Sequence, residues 1–337
     1  MRAVAYKIPQ PISAETSLID VDLPVPEATG HDLLVEIKAV SVNPVDVKVR
    51  AHSAPPADEV KVLGWDAAGI VKAVGPDVTL FKPGDEVYYA GAINRPGTYA
   101  EFHLVDERIV GRKPKSLDFA AAAALPLTSI TAYEALFDRL KVQDAVPGAA
   151  RALLVIGGAG GVGSITIQIA RALTDLTVIA TASRPETQVW VKELGAHHVV
   201  DHSKPIAPQV AALGIGAPSF IFSTTNTDSH IPDIVEAIAP QGRFALIDDP
   251  KFLDVVPFKR KAVSVHWELM FTRPLFSTPD MIEQHNLLNK VSELVDAGNI
   301  RTTLSQTVGA INAANMKKAH SMVESGRMKG KAVLLGF

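Results

Sequence analysis

Among 337 residues there is not one cysteine. That absence excludes disulfide bridges, thiolate nucleophiles and every cysteine-ligated zinc site. Aromatic residues are few, 6% of the chain, and no tyrosine is followed four positions on by lysine. After Tyr6, Tyr88, Tyr89, Tyr99 and Tyr133 those positions hold Gln10, Ala92, Ile93, His103 and Phe137, so a Tyr-x-x-x-Lys catalytic base is excluded. Neither sign of charge dominates: 33 basic residues face 36 acidic ones, a net charge of −3. The densest basic stretches, Lys259–Lys261 and Met316–Lys318, are short enough to be solvated faces, and no nucleic acid partner is expected. No apolar run approaches the roughly 20 residues of a membrane span. The start, "MRAVAYKIPQPIS", alternates like a strand and lacks the apolar core of a signal peptide. A cytoplasmic protein without a membrane partner is the expectation.

What is present is a chain rich enough in apolar residues, 47%, to bury a sizeable core, and long enough for roughly two domains. Up to about residue 115 it reads as all β. Runs such as "RAVAYKI", "DLLVEIKAVSV", "GIVKAVG", "DEVYYAG" and "TYAEFHLV" are separated by "KPGD" and "RPGT" turns. From Ser116 the character changes. "SLDFAAAAALPLTSITAYEALFDRL" is helical in spacing and broken by Pro126, with Ser116 expected to cap its first part and Thr128 or Ser129 its second. Strand and helix then alternate through "RALLVIG", "GVGSITIQIARAL", "LTVIATA", "PETQVWVKELG", "HHVVDH", "FIFSTT", "IPDIVEAIAP" and "GRFALID". That order predicts a parallel sheet covered by helices on both faces. The tail adds a helix in "PDMIEQHNLLNKVSELVDAG", another around Ala314–Glu324, and a strand, "GKAVLLGF".

"IGGAGGVGS", Ile156 to Ser164, carries five glycines in nine residues between an apolar strand and an apolar helix. Gly158, Gly160 and Gly163 have the G-x-G-x-x-G spacing. The first allows a tight turn, the second lets backbone N–H groups approach a pyrophosphate, and the third lets helix pack on strand. Gly158, Gly160, Gly161, Val162 and Gly163 are therefore read as a dinucleotide cradle. An NAD site would place a carboxylate at the end of the next strand, about twenty residues on. There the sequence has Ala182, Ser183 and Arg184, with no acid between Asp175 and Glu186. A hydroxyl followed by a guanidinium suits a 2′-phosphate, so the cofactor is read as NADP(H). Lys204, after the following strand, adds a second cation, and His202 belongs to the same candidate set. His198 and His202, four apart on an extended strand, would stand roughly 13 Å from one another, and are not read as a metal pair.

Taken together and in order, "AVSVNPVDVKVR", "VLGWDAAGIVKAVG", "FKPGDEVYYAG", "GTYAEFHLV", "AAALPLTSITAYEAL", "GGAGGVGS", "LGAHHVVDH" and "ESGRMKGKAVL" resemble the medium-chain dehydrogenase/reductase superfamily, in its zinc-free quinone oxidoreductase branch. The resemblance covers nearly the whole chain. It implies an α/β protein: a GroES-like β domain over residues 1–126, completed by 273–337, and a Rossmann domain, a doubly wound parallel sheet, over 127–272. It further implies an active site in a cleft between the domains, and a homodimer.

The zinc enzymes' ligand positions fall here at Asn43, Trp65 and, for the third, near Leu127; their relay hydroxyl falls at Val45 and their four-cysteine lobe is missing. An amide, an indole and an isobutyl group do not hold Zn²⁺, so no metal site is expected. Without a Lewis acid, the expected chemistry is hydride delivery to an already electrophilic carbon of a small apolar substrate, a quinone or an enone. Asn43 is the candidate donor to the developing oxyanion, with a loop cap as its other reading. Asp46 is expected to fix that loop, and Trp65 to line the pocket. By the same resemblance, Thr131, Thr225 in "FSTT", Ile247 and Asp248 in "LIDD", and Thr272 in "FTR" meet the nicotinamide end. Two readings stay open beside it: a zinc-independent aldehyde or alcohol oxidoreductase, and an NADPH-binding structural or regulatory protein with little turnover.

Overall fold

The structure, a computed structural model, describes residues 1–337. It separates into two compact units: Met1–Ile130 with Phe271–Phe337, and Thr131–Met270.

The first unit begins with β1 (Arg2–Tyr6), β2 (Ile19–Asp22), β3 (Asp32–Ser41), α1 (Pro44–His52), β4 (Lys61–Val62), β5 (Asp66–Val74), β6 (Glu86–Tyr89), β7 (Phe102–Asp106) and β8 (Val110–Arg112). It continues with α2 (Phe119–Ala123) and α3 (Pro126–Tyr133), whose last turn passes into the second unit. β3 is the central strand. β5 and β7 pair with it antiparallel, and so does the strand formed by Lys331–Leu335, which sets Val333 opposite Ser41. Its alternate residues Leu33, Val35 and Ile37 are buried, the period-two pattern of a half-covered sheet.

Four expectations change here. Residues 1–115 are not all β, because "PVDVKVRAH" is helical. Its β-branched alternation resembles a strand, but Pro44 presets the first helical φ and Asp46 accepts from the backbone N–H of the capping residue Asn43 at 2.6 Å. Asp118, not Ser116, caps α2 by accepting from Ala121 N at 2.8 Å; the Ser116 hydroxyl bonds Asp296 instead. α3 starts on Pro126, and the Thr128 hydroxyl donates back to Leu125 O rather than capping. The apolar stretch is also longer than expected. Phe119–Arg139, the 21-residue stretch that runs through α2, α3 and the turn after them, is long and apolar enough for a span by length and composition, yet 83% of its apolar window is buried inside the protein.

The second unit alternates β9 (Ala150–Ile156), α4 (Gly161–Leu173), β10 (Thr177–Thr181), α5 (Pro185–Glu193), β11 (His198–Val200), α6 (Ile206–Ala212), β12 (Pro218–Ser223), α7 (Thr227–Ala237), β13 (Arg243–Leu246) and β14 (Ser264–Trp267). All six strands are parallel, in the order β11-β10-β9-β12-β13-β14. Strand order therefore reverses between β9 and β12, and in such sheets ligands bind at the carboxyl ends beside that switch. Leu154, Ile179, Ile221 and Phe244 from the sheet pack with Ile206, Val210 and Ile234 from α6 and α7, and Phe258 stacks on Phe244. Each such fully buried side chain contributes about 1.5–3 kcal/mol.

The first unit is completed by α8 (Thr272–Phe276), α9 (Glu283–Asp296), β15 (Leu304–Gly309), α10 (Ala313–Glu324) and β16 (Lys331–Leu335). β16 is the strand that returns the chain's end to β3.

Candidate active site

At the switch point, β9 ends in the glycine turn. Gly157 carries the positive φ, +81°, and a Cβ there would meet the Thr224 hydroxyl at 2.3 Å. The tight turn is thus at Gly157, not at Gly158 as the spacing suggested. α4 begins at Gly161, two residues before the expected third glycine. Gly163 has the packing role: a Cβ would lie 2.3 Å from Gly157 O and 2.7 Å from Gly158 Cα. At Gly160 the nearest protein atom would be 3.5 Å away, so that glycine is not needed for internal packing. Gly160 caps the helix without a side chain, which leaves the first-turn N–H groups of Gly161, Val162 and Gly163 for an anion. The residues fit a dinucleotide pyrophosphate.

The turn is tied to the adjacent strand ends. The Thr181 hydroxyl accepts from Gly157 N at 3.0 Å and lies 3.1 Å from His202 Nδ1. Arg184 caps α5, its Nε 3.2 Å from Glu186 Oε1, beside half-buried Ser183. Lys204 is exposed, 3.8 Å from Asp201. Burial first, then His230 and Arg184, hold the His202 imidazolium form below its ordinary range. At the other end, Thr225 is exposed and Ile247 half-buried. Asp248 is engaged within the fold: its carboxylate accepts from the Thr227 backbone N–H, at 2.8 Å, and from the Thr227 hydroxyl, capping α7. Thr131 is buried in α3, while Thr272 opens α8 in the other unit.

In the first unit, two of the three positions where the resemblance would put metal ligands, Asn43 and Leu127, are bound into one buried knot. Asp66 accepts from Leu127 N at 2.7 Å on one oxygen. On the other it accepts from Asn43 Nδ2 at 2.8 Å, Lys331 Nζ at 3.1 Å and the Ser41 hydroxyl at 3.3 Å. The Lys331 ammonium also donates to Val42 O at 3.1 Å and to Asn43 Oδ1. Asn43 is 1% exposed, with both ends of its amide engaged. Its amide closes the knot, Oδ1 accepting from Lys331 and one Nδ2 N–H donating to Asp66, so the geometry presents it as a bonded, buried amide rather than a free oxyanion donor. Trp65 is fully buried, donates Nε1–H to Ala92 O at 3.2 Å, and meets Phe271 edge-on. It is a core residue of this unit. These groups do not fit a zinc ion: the amide oxygen already holds an ammonium, and neither the indole nor Leu127 offers a lone pair.

Asp46 lies beside this knot. Burial pushes its carboxyl up to about 7, against the Asn43 N–H and the Lys331 charge that favour ionisation, and with Asp66 adding to the rise. Tyr99 stands next to Asp46, its hydroxyl 3.4 Å from His320 Nε2. Burial holds His320 neutral, its pKa down to about 3. The sequence reading missed Asp66, Lys331, Tyr99 and His320, although "GWD" and "KGKAVL" contained the first two. It also missed a buried acid cluster in the second unit. There Glu268, raised by burial and by Glu134 to about 9, accepts from Arg139 Nε at 2.8 Å.

A six-stranded doubly wound sheet with a glycine cradle at its switch point, and a separate β unit closed by the chain's own end, define a two-domain dinucleotide-dependent oxidoreductase. Residues 29–115 match the alcohol dehydrogenase GroES-like domain, and 194–334 match the zinc-binding dehydrogenase family. A zinc-type alcohol dehydrogenase-like protein of Staphylococcus aureus is 41% identical over 92% of both chains. The 2-methylene-furan-3-one reductase of Solanum lycopersicum is 38% identical over 96% of this chain and 76% of its own. Among solved structures, a putative zinc-dependent alcohol dehydrogenase from Rhizobium etli has 69% identity and a TM-score of 0.99, over 100% of this chain and 98% of its own. The quinone oxidoreductase of Coxiella burnetii has 26% identity and a TM-score of 0.80 over 99% of each. The chain belongs to the medium-chain dehydrogenase/reductase superfamily, as a zinc-type alcohol dehydrogenase-like protein that lacks the zinc ligands. It is an NAD(P)H-dependent oxidoreductase.

Proposed function

We propose that this protein uses NADPH to reduce a quinone or the activated C=C bond of an enone, without a metal. The observation that carries this reading is the knot around Asp66: Asn43 and Leu127 are bonded to a carboxylate, and Lys331 supplies a cation from within the chain. Oxidation of a simple alcohol needs its hydroxyl proton removed as hydride leaves, and this site has neither a metal-binding donor set nor a relay hydroxyl at Val45. An electron-poor alkene or quinone makes no such demand. NADPH, when bound, supplies the hydride. Gly158, Gly160, Gly161, Val162 and Gly163 hold its pyrophosphate, and Ser183, Arg184, His202 and Lys204 hold its 2′-phosphate. Thr131, Thr225, Ile247 and Thr272 serve the nicotinamide end, with Asp248 positioning the Thr225–Thr227 turn through its hold on α7. Names among the relatives support both substrate classes: a methylene-furanone reductase and a quinone oxidoreductase. A homodimer is part of the proposal, because β14 leaves one edge of the six-stranded sheet unpaired, with Trp267 and Leu269 exposed on and beside it.

The test is NADPH oxidation by the purified protein with quinones, enones, aldehydes and, in reverse, simple alcohols, with and without EDTA. Steady turnover on quinones or enones, indifferent to EDTA, is the expected result. Faster oxidation of ethanol-like alcohols, or activity that EDTA abolishes, refutes the reading. Binding of NADPH with no turnover on any acceptor favours a non-catalytic role.

A further inference from the structure

His202, which faces Arg184, stands against a second imidazole, that of His230. His202 follows β11 and His230 lies on α7, their ring centroids 6.5 Å apart and edge to face. We propose that the 2′-phosphate of the cofactor is taken up together with a proton, which is held on the His202–His230 pair. This rests on the reading of the cofactor as NADPH.

The hydrogen bonds define the resting state. Thr181 Oγ1 already accepts the Gly157 N–H, so its own proton is directed at His202 Nδ1. Neutral His202 then carries its proton on Nε2, assigned here from these partners. When a proton arrives on Nδ1, that bond reverses: Nδ1–H donates to the Thr181 oxygen, which keeps the Gly157 N–H through its second lone pair. The charge changes while the heavy atoms and the glycine turn stay in place.

The surrounding charges give the sign. Arg184, from the start of α5, and His230 face His202 and oppose a positive ring, while Asp201, on its own turn, favours one. Asp228, Asp233 and Asp248 surround His230 and favour its charge. Burial keeps both rings below their ordinary range in the free protein. A phosphomonoester with a charge of about −1.5 to −2 at pH 7 reverses this balance. The 2′-phosphate cannot mimic the effect. Its own second pKa is about 6, so beside Arg184 it would release protons rather than take them up.

Calorimetric titration of the whole protein at pH 7, in buffers of different ionisation enthalpy, reads the proton directly. NADPH binding should take up roughly half a proton or more, and NADH close to none. His202→Gln should abolish the uptake and weaken NADPH about fivefold at pH 6 but less than twofold at pH 8, with NADH unchanged. Tighter binding of NADPH than NADH without proton uptake in the wild type overturns the inference and leaves the cofactor reading intact. Uptake that persists in both His202→Gln and His230→Gln also overturns it. If the wild type does not prefer NADPH at all, or if Arg184→Ala leaves its preference unaltered, the cofactor reading itself fails.

Discussion

Replacing Lys331 by methionine isolates the energetic weight of the buried knot. The Lys331 side chain is 3% exposed and Asp66 0%, so the substitution leaves a carboxylate without its counter-charge in a dry site. Breaking a buried pair from one side costs about 3–5 kcal/mol. Two details locate this case within that range. Asp66 keeps three other donors, Leu127 N, Asn43 Nδ2 and the Ser41 hydroxyl, which argues for the low end. Val42 O and Asn43 Oδ1 each lose a donor, at about 1 kcal/mol apiece. The expected loss is about 4 kcal/mol for the first unit. The chain has three tryptophans, and with Trp190→Phe and Trp267→Phe only Trp65 remains, next in sequence to Asp66 and fully buried. Urea unfolding followed by its fluorescence then reports on this unit. Adding Asp66→Asn to Lys331→Met removes both charges and should recover about 2 kcal/mol. Dinucleotide affinity should hold, since the glycine turn belongs to the other unit. A loss below about 1 kcal/mol, or no recovery in the double variant, would refute the reasoning.

Two further predictions use contrasts within the sites. Gly163→Ala places a methyl 2.3 Å from Gly157 O, whereas Gly160→Ala meets nothing closer than 3.5 Å. The first should lower the melting temperature and cofactor affinity together; the second should leave melting unchanged and weaken NADPH about tenfold, through lost backbone approach. Equal melting losses for the two would contradict these roles. For Asp46, the folded pKa of about 7 lies above the ordinary 3.8, so between about pH 4 and 7 the folded state binds a proton that the unfolded state does not. Stability therefore falls as pH rises through that window. Asp46→Asn keeps an acceptor for Asn43 N, and should raise the melting temperature relative to wild type at pH 8 but not at pH 4. A pH-independent difference would count against the buried-acid account.

Local chemistry was legible in the sequence; long-range pairing was not. The cradle could be read because strand, glycines and helix are consecutive, although the spacing put the tight turn one residue late, at Gly158 instead of Gly157. Up to about residue 115 the chain read as all β, and "PVDVKVRAH" was not set apart as a helix because its decisive features, Pro44 and Asp46, act through the cap. Ser116 and Asp118 were both chemically able to cap α2; Asp296, 180 residues away, engages the serine.

The Asp66–Lys331 knot shows where such reading stops and what would carry it further. Lysine is almost never fully buried unless paired, and Lys331 opens the run "KAVLL" whose first four residues are all buried. That run alone requires an acidic partner for the ammonium. The sequence offers 36 acids, and choosing among them requires knowing that β16 lies beside β3 in the register Val333 to Ser41. That register carries Lys331 to the loop after Ser41, where Val42 and Asn43 supply two acceptors and Asp66, 265 residues away in sequence, the third. The consequence is functional as well as architectural. An Asn43 read by itself is a free amide facing a substrate oxygen, and an Asn43 read with β16 in place is a bonded one. A donor for the developing oxyanion must therefore be sought among groups whose hydrogen bonds the fold has not already closed.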